Sequence, residues 1–218
     1  MNEIGPGVFQ LESTGRTVNI FLVRAEVPVL IDTGTARQGT AVVEELRTAG
    51  MTPELVVLTH GDFDHCGAAD EIRRATGAQV CAPTAERALL TGAEQRRLFV
   101  RVLIRSVNRG RAPRLPPIDR WLEPREGIAG LESIPTPGHT RGHTAYRLGT
   151  TLFAGDAVIT GETFREPIEM FCIDPAQARR SIEKLATLDV DLVASGHGRP
   201  SRNGRANLAA LASTWSSA

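Results

Sequence analysis

At 218 residues, with 41% apolar and 23% charged side chains, the chain is long enough for one buried core and too apolar to stay disordered. Its 25 basic and 25 acidic residues cancel, so no global field draws it to nucleic acid or to an anionic membrane. No run of 18 apolar residues occurs, and the opening Met-Asn-Glu-Ile-Gly-Pro-Gly carries neither a basic nor an apolar signal region, so neither a spanning nor a secreted protein is expected. Cys66, Cys81 and Cys172 are odd in number and lack metal-site spacing, which predicts a reduced, cytoplasmic protein without disulfides.

The first half alternates two kinds of segment. Residues 18–23 and 27–31 are β-branched and apolar and read as strands, with Asp32-Thr33-Gly34 turning the second. Val42, Val43, Leu46 and Ala49 share one face of a helix over 37–49, which Gly50 ends. The apolar run 55–59 suits a strand covered on both faces. A helix over 67–76 stops at Gly77, and 79–82 resumes the sheet. Residues 86–125 differ, with ten arginines against four acids. A helix is expected over 93–107, with Leu98 and Val102 on its apolar face, followed by a proline-rich linker over 111–117. The segment at about 86–120 is thus expected to be a basic helical insertion or lid, and the apolar face near 98–104 could serve a homodimer.

The second half repeats the pattern. Strands are expected at 131–135, 144–148, 151–154 and 191–194. A helix over 174–188 opens with Asp174 as cap and Pro175 in its first turn, and a last helix covers 203–214. Two similar halves of this kind imply two sheets packed together with helices outside.

The chemistry concentrates in scarce residues. The chain has five histidines and nine aspartates. His60, Asp62, Asp64 and His65 fall within six residues, directly after an apolar strand. His139, Asp156 and His197 each follow a glycine at the end of another strand. Strand ends are rigid and the turns beyond them are open, so side chains there can converge on one point. A mixed imidazole and carboxylate set suits zinc, iron or manganese.

The order Asp32-Thr-Gly, Thr-His-Gly-Asp-Phe-Asp-His, Pro-Gly-His-Thr, Gly-Asp156 and Gly-His197-Gly resembles the metallo-β-lactamase-fold hydrolases over nearly the whole chain. The resemblance implies a single domain over 1–218, a four-layer αββα sandwich of two mixed sheets, with a divalent centre, two zinc ions or else iron or manganese. Its first ion would take His60, Asp62 and His139, and its second Asp64, His65 and His197, with Asp156 bridging. Asp32 would buttress this loop, and His143 would stand behind it. The family motif is His-x-His-x-Asp-His, and Asp62 stands where the second histidine belongs. A carboxylate there adds charge and hardness, so Asp62→His is expected to raise zinc occupancy of the first site.

The function implied is hydrolysis of a small ester, thioester, lactone or phosphoester. Paired cations generate hydroxide near neutral pH, and Asp64 passes a proton to the leaving group. Ile159 stands where lactonases and zinc β-lactamases often carry Tyr or Lys. The C-terminal helical domain of glutathione-thioester hydrolases is not expected within these 218 residues. Arg141 is a candidate for holding an anionic substrate group. An iron-dependent redox enzyme of the same fold and a metal-stabilised binding module are the competing readings.

Overall fold

The computed structural model describes residues 1–15, 18–98, 100, 102 and 116–216. One sheet contains β1 (Asn2–Gly5), β2 (Val8–Gln10), β3 (Phe21–Arg24), β4 (Pro28–Ile31), β5 (Leu55–Val57), β6 (Gln79–Pro83) and β7 (Arg120–Leu122), side by side in that order. The pairs from β1 to β4 are antiparallel and those from β4 to β7 parallel. A second sheet orders β11 (Leu192–Ser195), β10 (Thr151–Gly155), β9 (Thr144–Leu148) and β8 (Glu132–Pro135), with only β10–β11 parallel.

Alternation along the strands decides the layers. Leu22, Leu30, Val56 and Val80 face outward and pack with Val42, Leu46 and Ile72 of α1 (Gly39–Thr48) and α3 (Ala69–Thr76). Their neighbours Phe21, Val23, Val29, Ile31 and Val57 face inward and meet Tyr146, Phe153 and Ala194 of the second sheet. On that sheet's other face, Ala145, Leu152 and Val193 pack with Ile182, Leu185 and Leu208 of α5 (Pro175–Ala186) and α6 (Gly204–Ser216). Each fully buried Leu, Ile, Val or Phe side chain contributes roughly 1.5–3 kcal/mol, which binds the four αββα layers together.

Several boundaries differ from the sequence expectation for identifiable reasons. Residues 18–20 are buried but leave the sheet, because Asn19 donates from its backbone to Gly196 O and from its side chain to Ser195 O and Gly198 O. The helix expected over 67–76 is preceded by a separate turn, α2 (Phe63–Cys66), and itself begins at Ala69. Gly67 lies at the break, where a Cβ would sit 2.3 Å from Phe63 O and 2.7 Å from Ala36 N. Asp174 caps α5 by accepting from Gln177 N, as its sequence context suggests. The β1–β2 hairpin and β7 are additional strands, three or four residues long.

In the arginine-rich segment, Thr84–Glu86 and α4 (Arg87–Leu90) form short helical turns, and Leu98, Val100 and Val102 are helical. Residues 99, 101 and 103–115, and with them most of the expected lid and linker, lie outside the described residues. Leu98 and Val102 are exposed whereas Val100 is buried. No helix among the described residues is long and apolar enough to cross a membrane.

Candidate metal centre

The parallel strands β4 and β5, together with β8, β10 and β11, deliver their C-terminal ends to one edge of the sandwich. Just beyond these ends stand Asp32, His60, His139, Asp156 and His197, and α2 adds Asp64 and His65, with Asp62 at its N-terminal end. The seven residues singled out as ligands thus come together from four separate loops. His60, Asp62 and His139 offer donor atoms that all lie within 4.8 Å of one another, as do His60, His65 and Asp156, and as do Asp64, His65 and His197. Asp156 links the groups, with its carboxylate 3.3 Å from His65 Nε2, 3.6 Å from His139 Nε2 and 3.4 Å from His197 Nε2. Gly196 permits this approach, since a Cβ there would lie 2.4 Å from Asp156 Oδ1 and 2.5 Å from His65 Cε1.

The ring orientations have a common origin. Asp32 accepts from Thr59 N at 2.8 Å, from the Thr59 hydroxyl at 2.8 Å and from His65 Nδ1 at 2.8 Å. Because the Thr59 hydroxyl spends its proton on Asp32, its oxygen accepts from His60 Nδ1, 2.9 Å away. Both imidazoles therefore carry a proton on Nδ1 and turn Nε2 inward. Asp32 does this from a left-handed backbone conformation, φ 59°, which is uncommon for a residue with a Cβ. His143 faces the other way, since its Nε2 accepts from Asp156 N at 2.9 Å and its Nδ1 pairs with Thr136 Oγ1. It anchors the Asp156 backbone and presents no free nitrogen to the cluster. Burial, reinforced by the neighbouring imidazoles, holds its pKa well below the usual histidine range.

This arrangement fits a divalent cation. His60 Nε2, His65 Nε2 and Asp156 Oδ1 are buried and have no hydrogen-bond partner among the described residues. Orphaned buried donors of this kind are costly in a native interior, and a cation is the group that imidazole and carboxylate lone pairs can satisfy together. Proton affinities agree with that. Burial alone would lower His139 and His197, but Asp62, Asp156 and Asp64 outweigh it and raise them to about 9 and about 10. For Asp62, burial alone would raise the carboxyl, yet His139, His60 and Arg96 hold it well below its usual range.

The sign of the resulting pH dependence follows directly. Histidines whose pKa is raised by folding contribute stability that is complete below about pH 6.5 and is lost as pH climbs through 9 to 10. The metal-free protein is expected to melt at progressively lower temperature across that window. The metal-loaded protein, with its imidazoles held neutral by the cation, is not. Parallel thermal scans of the two forms check this, and equal slopes would contradict it.

Two residues that hold the site have no signature in the sequence. Glu86 is buried and accepts from Gly61 N and Gly142 N, both at 2.7 Å, tying the His60 loop to the His139 loop. Arg96 is also buried, with Nε 3.1 Å from Asp62 Oδ1 and a terminal nitrogen 2.8 Å from His139 O. Its other terminal nitrogen bonds Phe171 O. In contrast, Arg141 is exposed and pairs with Glu94 at 2.9 Å, lining a small surface pocket away from the ligand cluster. The structure therefore withdraws Arg141 as a substrate-holding group. Cys66 is packed in the outer core, and burial raises its thiol pKa, so it offers no nucleophile.

A cavity of about 500 Å³ opens over the cluster. Asp62, Asp64, His139, Asp156 and His197 line its polar side, and Phe63, Val100, Ile159, Ile168 and Phe171 its apolar side. Arg165 also reaches it and forms no ion pair with another described residue.

Residues 13–197 match the family model of the metallo-beta-lactamase superfamily. The probable metallo-hydrolase YflN of Bacillus subtilis (strain 168) is 31% identical over 87% of this chain and 83% of its own length. The hydroxyacylglutathione hydrolase of Fuscovulum blasticum is 33% identical over 74% of this chain, but the match spans only 55% of that enzyme. Among solved structures, TTHA1623 in a di-iron-bound form superposes with a TM-score of 0.74 at 28% identity, over 90% of this chain and 96% of that one. The chain belongs to the metallo-β-lactamase superfamily and is a metallo-hydrolase of that fold.

Proposed function

We propose that the protein hydrolyses a small thioester or ester whose acyl part lies against the apolar side of the cavity. The observation that carries this reading is the set of unpartnered, inward-facing donors that lies behind Asp156, beneath an open, largely apolar cavity. His60, Asp62 and His139 would hold one divalent ion and Asp64, His65 and His197 a second, with Asp156 between them. Such ions supply Lewis acidity for a carbonyl oxygen and lower the pKa of a water to about 7. Zinc suits the imidazole-rich donor set, and the di-iron form of TTHA1623 makes iron the first alternative to test.

The chain's own groups supply the rest. Asp64 is partly exposed at the cavity floor, with its carboxylate 3.5 Å from His197 Nε2. It can take the proton of an attacking water and deliver it to a departing thiolate or alkoxide. Phe63, Ile159 and Phe171 keep bulk water from the acyl group. A thioester is favoured over a phosphoester because relatives named hydroxyacylglutathione hydrolase recur at about 30% identity. Moreover, Arg165 is the only guanidinium among the described residues that line the cavity, where a phosphate would call for several cations.

The test is a panel of short acyl thioesters, aryl esters and phosphodiesters, assayed before and after chelation and after return of zinc or iron. Thioester or ester turnover that chelation abolishes and metal restores is the expected result. Undiminished turnover in protein shown to be metal-free, or turnover of phosphodiesters alone, would refute the proposal. Within the same panel, Arg165→Ala is expected to raise KM about two- to fivefold for carboxylate-bearing substrates, the worth of an exposed charge pair. Neutral aryl esters should not respond. Equal effects on both classes would mean that Arg165 does not read substrate charge.

A further inference from the structure

Asp62 occupies the position where the family motif has a histidine, and a bare carboxylate there would make the first ligand set one charge more negative. The structure compensates for that charge. The two carboxylate oxygens of Asp62 meet different partners. Oδ2 lies 3.0 Å from His139 Nε2 and 3.6 Å from His60 Nε2, on the side of the cluster. Oδ1 lies 3.1 Å from Arg96 Nε. The Nε–H is not aligned for a hydrogen bond to that oxygen, so charge holds the contact while the carbonyls of His139 and Phe171 fix the guanidinium. Both side chains are largely removed from solvent, with 12% of Asp62 and 6% of Arg96 exposed.

Resting on the ligand assignment above, we propose that Asp62 and Arg96 act as one neutral unit in place of an imidazole: Arg96 is a positioning residue that takes up one carboxylate oxygen and one charge, leaving Asp62 a single-oxygen ligand. Three features support this. A guanidinium matches a carboxylate oxygen and two carbonyls at once, as an ammonium cannot. The partner lies 34 positions along the chain and is carried inward despite the expense of burying a cation, which is tolerated only for a paired charge. Lastly, the guanidinium contacts the first ligand group at two members, the Asp62 carboxylate and the His139 backbone.

The pairing reverses the expectation formed from the motif alone. Asp62→His by itself does not complete a better zinc site, because it strands the Arg96 cation beside the new imidazole. The test is a double-mutant cycle on the full chain, Asp62→His, Arg96→Met and both together. Affinities for zinc and for manganese are read by chelator competition, with metal content measured by elemental analysis. Asp62→His is expected to bind zinc at the first site at least tenfold more weakly than the parent. Arg96→Met, with its carboxylate uncompensated, is expected to shift preference at least tenfold from zinc toward manganese. The double variant is expected to return zinc affinity to within about threefold of the parent.

An arginine that merely ties loops together would give additive losses and an unchanged zinc-to-manganese ratio, and either result overturns the proposal. If Arg96→Met alone does not fold, the double variant decides. Its folding with restored zinc affinity supports the pairing, and its failure assigns Arg96 to loop structure only. His60→Ala serves as the control for the ligand assignment. Full first-site metal in that variant would remove the assignment itself, and the pairing with it.

Discussion

Replacing Asp156 with alanine is expected to abolish both metal retention and hydrolysis. Among the described residues this carboxylate alone approaches three imidazoles, His65, His139 and His197, and so would belong to both of the proposed ligand groups. Loss of a hydrogen-bond partner behind a ligand costs roughly 10–100-fold in metal affinity or activity. Loss of a group shared by two ions should exceed that range. The fold should survive, because Asp156 holds its loop through its backbone N–H, which His143 Nε2 accepts, and that bond does not need the side chain. Elemental analysis after dialysis, beside turnover of the best substrate in the panel, measures the effect. A variant that keeps two ions per chain and turnover within tenfold of the parent would show that Asp156 does not bridge. Asp156→Asn separates charge from shape, since it keeps one oxygen, and should fall between the two.

The residues that the structure gathers into one cluster were legible in the sequence because metal sites draw on rare residue types. Five histidines, four of them placed after apolar runs beside glycine or aspartate, leave little room for another arrangement. The layers were legible as well, because apolar runs such as 55–59 mark strands covered on both faces, and two similar halves of this kind imply two packed sheets. What could not be read is the support. Arg96 is one of ten arginines between residues 86 and 125, and nothing in its neighbourhood marks it as the one that turns inward. Glu86 is equally unmarked, yet it joins two loops 81 positions apart, from Gly61 to Gly142. Such contacts depend on where distant loops meet, and that is set by the completed sandwich and not by local pattern. Arg141 shows the reverse error. Two positions from His139 it looked suited to hold substrate, but the turn directs it outward to Glu94.

Asp32→Asn should weaken zinc binding by roughly 10–100-fold while leaving the backbone in place. Asparagine tolerates the left-handed conformation at this position, where φ is 59°, so the substitution isolates the loss of the carboxylate. Three N–H and O–H groups converge on Asp32, from Thr59 N, the Thr59 hydroxyl and His65 Nδ1. A carboxylate accepts from all three, whereas a carboxamide brings one oxygen and one donor group. If the amide nitrogen faces His65, the ring must move its proton to Nε2, where the proton occupies the lone pair meant for the metal. If it faces Thr59 instead, the buried Thr59 N–H loses its acceptor, at about 1–3 kcal/mol. Either way one substitution, in a residue outside the ligand cluster, removes a hydrogen bond that orients His65 or fixes the loop carrying His60. Chelator competition should therefore register weakened binding, with stoichiometry recovered only at high zinc. Parental affinity in Asp32→Asn would mean that the tautomers of His60 and His65 are set by something other than this hydrogen-bond chain.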